Sequence, residues 1–284
     1  PYRWCTVQQP GDVFTTERVR RAPVSGMLGR VAAPSLARIT RRLPSAAGWN
    51  ASLLYTPLRN EDGKPLVNIG LIYRSQATLH LDGQLLAGGT HIADARTTFV
   101  VPQVLTGGIA LWPVRNKERE WKVELDVDYT GWKSVRNLDA HLSNGLTVAT
   151  PANWISGYTV MIGTEHKWLN PAPLPDWDVA LRAGYWHSQK AIPDQTFNPA
   201  IPDGDNHAVS TGIGFMCREH GRFLGVIPCG GSGKTLSPKG LGLDLAYQAI
   251  LYENRTVAGN INPTVNGTYR TTLHVGSINL RVNF

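Results

Sequence analysis

From residue 49 to the end of the chain, apolar and polar side chains alternate with a period of two. In "EWKVELDVDYTGW", Trp121, Val123, Leu125, Val127 and Tyr129 fall on one face of an extended chain, and Lys122, Glu124, Asp126 and Asp128 on the other. The same spacing in "DVALRAGYWHS" sets Val179, Leu181, Ala183 and Tyr185 against Asp178, Arg182, Gly184 and Trp186, and it returns in "LGLDLAYQAIL". Nine such segments are read, at roughly 49–58, 65–81, 98–113, 119–135, 154–167, 177–188, 207–217, 240–255 and 269–284. No amphipathic helix pattern separates them, so the expectation is an all-β antiparallel meander.

The connections decide between a water-soluble sandwich and a membrane barrel. "RNEDGK", "VRNKE" and "LNPAPLP" are short, whereas "GQLLAGGTHIADART", "DAHLSNGLTVATPA" and "AGNINPTVNG" are longer. Short turns on one rim and long loops on the other are the pattern of an outer-membrane β-barrel. Many segments exceed the five or six residues usual in soluble sheets. Aromatic residues gather near their ends (Trp49, Trp112, Trp121, Tyr129, Trp132, Trp154, Trp168, Trp177), where a membrane interface favours them.

Charge narrows the reading further. The net charge of +7 suggests an acidic partner. Its distribution does not: eight arginines up to residue 48 face only Asp12 and Glu17, which leaves the rest of the chain with one net positive charge. A basic leader on a near-neutral body is not a nucleic-acid footprint. No apolar run reaches the ~20 residues of a helical membrane span. The chain also opens without a signal peptide, which reads as a mature form or a lost beginning.

Candidate chemistry concentrates in "GYWHSQKAIPDQTFNPAIPDGDNH" (184–207). Asp194, Asp203, Asp205 and His207 form a conceivable Ca²⁺ loop, but rigid Pro-Asp turns account for the same residues as loop architecture. A hydrolase built on Ser188, His187 and Asp194 lacks a nucleophile elbow or oxyanion motif. "PCGGSGKT" carries Pro228 where a phosphate loop needs glycine, so it reads as a glycine-rich turn. No cofactor or metal is expected.

The ending "SINLRVNF" places Ile278, Leu280, Val282 and Phe284 on one face and resembles the C-terminal signal read by the outer-membrane insertion machinery, with Phe284 as its terminal aromatic. Together with "GWNASLLYTPLRN", "VNIGLIYRS", "WKVELDVDYTGW" and the block "LRAGYWHSQKAIPDQTFNPAIPDGDNH", it makes residues 48–284 similar to the FadL/TodX family of outer-membrane transporters for long-chain fatty acids and aromatic hydrocarbons. That resemblance implies an antiparallel transmembrane β-barrel in the bacterial outer membrane, here about nine C-terminal strands of an expected fourteen. Residues 1–47 match neither the hatch nor the earlier strands of such a barrel, and read as a foreign or misread leader or as a divergent hatch.

The resemblance also assigns roles. Residues 184–207 become an extracellular connection, with Asp194, Asn198, Pro199, Pro202, Asp203, Asp205 and His207 as its motif. Trp154, Trp186, Phe197 and Ile201 are candidate contacts for a hydrophobic ligand. Ile155 stands where many relatives carry a lysine that faces a fatty-acid carboxylate, so the expectation leans toward neutral hydrocarbons or esters unless Arg182 supplies the charge. Cys217 and Cys229 bracket the one long connection of the periplasmic rim, and a disulfide there closes a small loop in an oxidising compartment; Cys5 is left over. Expected partners are hydrophobic small molecules, outer-membrane lipid and lipopolysaccharide and the insertion machinery, with the protein a monomer that binds no nucleic acid. An outer-membrane esterase or phospholipase and a general porin are the competing readings.

Overall fold

The computed structural model describes residues 46–223, 225–230 and 238–283. The leader through residue 45 with Cys5, the glycine-rich turn at 231–237 and Phe284 therefore lie outside the described residues. Nine long strands form one sheet: β1 (Asn50–Arg59), β2 (Pro65–Arg74), β3 (Val104–Arg115), β4 (Arg119–Thr130), β5 (Gly157–Leu169), β6 (Trp177–Ser188), β7 (Asn206–Cys217), β8 (Gly240–Tyr252) and β9 (Thr272–Asn283). Each pairs antiparallel with its neighbour in chain order, so the sheet is a plain meander.

Registers sort the side chains into two faces. Val67, Leu111 and Val123 stand opposite one another on one face, followed by Ile69, Ile109, Leu125 and Ile162. This face continues through Leu181, Ile213, Leu245 and Ile278. Most of these side chains are exposed, an arrangement that is costly in water and favourable against lipid tails. The opposite face carries Asn68, the acids of β4, Arg182 and Asp244, and so faces the lumen. With no water in the bilayer core, only strands whose backbone groups pair with neighbours can cross it, and ten to thirteen residues suffice when tilted.

The two rims differ. Turns 60–64, 116–118 and 170–176 are short, and with the connection 218–239 they mark the periplasmic side. Trp121, Trp168 and Trp177 sit on the lipid face at this end, as an interfacial girdle requires. The other rim carries the long connections. There the structure corrects the sequence reading: the strands expected at 65–81 and 98–113 stop at Arg74 and begin at Val104. The residues between form a separate hairpin, Ala77–Ala87 with Thr90–Val101, which joins two short strands, Ala140–Leu142 and Thr147–Val148, in a four-stranded extracellular sheet. Pro102, which has no N–H for the ladder, falls at the break. Likewise the segment expected at 119–135 ends at Thr130, where Gly131 opens a 3-10 turn, and that at 269–284 begins at Thr272, Tyr269 belonging to a short hairpin pairing Arg255–Val257 with Gly267–Tyr269.

β1 and β9 are the two edges of the nine-stranded sheet and both run from the extracellular to the periplasmic rim. Among the described residues the wall is open.

Candidate functional site

The lumen face of β5 to β9 is built in layers that the register makes visible. Met161 pairs with Trp186, Trp186 with Ala208, Ala208 with Ile250 and Ile250 with Leu273. Five strands thus contribute one apolar side chain each to a continuous band just inside the extracellular rim. Ala208 is fully covered and Ile250 is buried, while Trp186 stays half-exposed. One step toward the rim the row turns polar, with Thr159, Ser188, Asn206 and Tyr252, and Thr159 and Ser188 share a hydroxyl bond of 2.8 Å.

Two positions below the band, charge takes over. Arg182 donates from Nε to Glu165 Oε2 at 2.5 Å and from Nη1 to Asp244 Oδ1 at 2.7 Å; Arg281 donates to the other oxygen of Asp244 at 2.8 Å. This chain of alternating charges spans β5, β6, β8 and β9. Arg182 reaches β8 only because β7 presents glycine between them: a Cβ on Gly214 would strike the carboxylate of Asp244 and lie 2.9 Å from Arg182 Nη1. Lower still, Asp178 is buried beneath Lys167 and Arg218. Lys122 bonds Glu124 at 2.7 Å on β4. The lumen wall therefore combines an apolar band with an ion-paired floor.

Above the band, the connections 189–205 and 253–271 close over a small core of Ile192, Phe197 and Val257, with Trp154, Val265 and Tyr269 packed against it. Arg255, only 7 % exposed, is the hub. Its guanidinium donates to Asp194 Oδ1 (2.8 and 3.0 Å), to Asp203 Oδ2 (3.1 Å) and to the carbonyls of Asp203 (2.8 Å) and Ile192 (2.5 Å), and it lies 4.2 Å from the centre of the Phe197 ring. Asp203 also accepts from the amides of Ala191 and Ile192, and Asp205 from that of Lys190. Asn198 bonds the amide of Ala200, and Pro199 and Pro202 stiffen the same turn. A buried arginine that satisfies two carboxylates and two carbonyls ties one loop to the other.

The residues singled out from sequence thus separate. Trp186 and Arg182 face the lumen, at the apolar band and the charged floor. Phe197 packs in the loop core, 5 % exposed beneath Arg255. Trp154 packs edge-on to Trp132 at 5.1 Å and against the same core. Ile201 and Ile155 are exposed in the connections. His207 lies on the lipid face, where it accepts or donates a 2.6 Å bond with Tyr185 and contacts Glu253. His187 shares that outer face, so it and Ser188 project to opposite sides of the wall and form no dyad. Cys217 and Cys229 are joined by a disulfide. Arg255 carried no sequence signal, since its partners stand more than fifty residues away.

The comparison with known families now bears on this wall. Residues 35–222 match the outer membrane protein transport protein family (OMPP1/FadL/TodX). The chain belongs to this family. Its place is accordingly the bacterial outer membrane, with lipid on the apolar face. The match begins inside the basic leader, ahead of the first described strand. Among solved structures, a Pseudomonas aeruginosa FadL homologue aligns with a TM-score of 0.55 at 18 % identity, covering 81 % of this chain and 49 % of that one, which supports the shared fold. The chain thus spans about half the length of that homologue. No curated protein matches the chain.

Proposed function

We propose that the protein carries neutral hydrophobic molecules, hydrocarbons or esters, passively across the outer membrane, touching the accessible members of the apolar band, Met161, Trp186 and Leu273, which the buried Ala208 and Ile250 back. The observation that carries this reading is the continuity of that band across five strands, two positions above an ion-paired floor. A hydrocarbon gains by leaving water for such a wall. It gains nothing from the layer below, whose charges are mutually satisfied, so the layer favours release sideways into the bilayer over passage straight down. A free carboxylate fares differently: Arg182 and Arg281 are occupied by Glu165 and Asp244, and Ile155 brings no ammonium. Losing a charge-assisted partner removes the affinity a fatty-acid headgroup would need.

The test is uptake of a radiolabelled alkane, alkyl ester and fatty acid by cells that lack their own carrier and express this protein. Faster entry of alkane and ester, lost in Trp186→Ala, is the expected result. Faster entry of the fatty acid alone would overturn the neutral assignment, and indifference of all three would overturn transport.

A further inference from the structure

The described part of the connection between β7 and β8, residues 218–223 and 225–230, folds onto the outside of the wall. Cys217, Leu241 and Leu243 lie on the lipid face, and Phe223 and Cys229 pack against them with Trp177, whose ring stacks on Phe223 at 5.9 Å. The disulfide closes the loop back onto that same face. Its tip is apolar and open: Val226 is 76 % exposed and Ile227 is exposed beside it. Arg222, in the loop, and Lys239, at the start of the adjoining strand β8, are also exposed and carry no ion pair among the described residues. Glu219 is the loop's single acid. The whole cluster sits at the level of the tryptophan girdle of Trp121, Trp168 and Trp177.

We infer that this disulfide-closed loop is an interfacial anchor that inserts Val226 and Ile227 into the inner leaflet and holds an anionic glycerophospholipid through Arg222 and Lys239. Three observations favour lipid as the occupant. The loop is continuous with the lipid face, its apolar tip sits at headgroup depth, and the cations around it complement an anionic headgroup. Closing the loop by a disulfide keeps the tip ordered without a partner, which lowers the entropy lost on insertion.

The experiment places the photoreactive amino acid benzoylphenylalanine at Val226, at Leu280 as a lipid-facing reference and at Asp62 as a periplasmic-turn reference. Each protein is irradiated in vesicles of equal phosphatidylcholine and phosphatidylglycerol and in isolated outer membranes, and adducts are weighed by mass spectrometry. Position 226 is expected to form lipid adducts with a preference for phosphatidylglycerol of about fivefold. Arg222→Gln is expected to bring that preference down, while position 280 labels both lipids alike and position 62 neither. Absence of lipid adducts at 226, or adducts to a protein in the outer membranes, would overturn the anchor. Lipid adducts with no headgroup preference would overturn the anionic assignment.

Discussion

Arg255 and Trp186 show how differently single residues can be read. Arg255 holds two connections together by satisfying Asp194, Asp203 and two carbonyls at once, and nothing near it in the chain announces this. Replacing it with methionine leaves two carboxylates without their counter-charge, at a cost of about 3 kcal/mol to the loop core. Limited proteolysis is the check: Arg255→Met should be cut within 189–205 far faster than the parent, with the strands still protected. Trp186 was a candidate contact through the family resemblance, and the register sets Met161 and Ala208 beside it on the lumen face. Truncating it to alanine removes aromatic area worth about 1–2 kcal/mol of ligand contact, or roughly tenfold in affinity for a neutral hydrocarbon. Phe197 was equally aromatic in sequence and turned out to be loop core, because periodicity says nothing of how two distant loops fold onto each other.

At the scale of elements, the wall strands were legible and the extracellular sheet was not. Residues 77–101 keep the same alternation as the wall, since any half-buried sheet does, so the period alone extended two strands beyond the membrane. The apolar band was invisible for a related reason: it belongs to the register between strands, and each strand contributes one residue to it. Glycine on β7 is part of the same layering. Gly214→Val should push Arg182 away from Asp244 and destabilise the wall by about 1–3 kcal/mol, seen as a lower temperature for loss of the folded band on gels. The periplasmic loop depends instead on its cross-link. Breaking it with Cys229→Ser should free the segment 218–230 to protease, consistent with the roughly 3 kcal/mol a loop of this size gains from closure.

For the whole molecule, one face of a nine-stranded meander answers to lipid and the other to a lumen graded from apolar to charged. Among the described residues β1 and β9 are the sheet's edges, whose backbone groups a bilayer cannot satisfy, so the wall works in a membrane only with those edges paired. The central claim is that a neutral hydrophobic molecule occupies the lumen band. It is tested most directly by irradiating the folded protein with an alkyl diazirine and mapping the labelled residues by mass spectrometry, with and without an excess of unreactive alkane. Label is expected on Met161, Trp186 and Leu273, where the alkane displaces it, beside label on Ile278 and Leu280 that the alkane leaves unchanged. Label confined to the lipid face, or lumen label that alkane fails to displace, would contradict it.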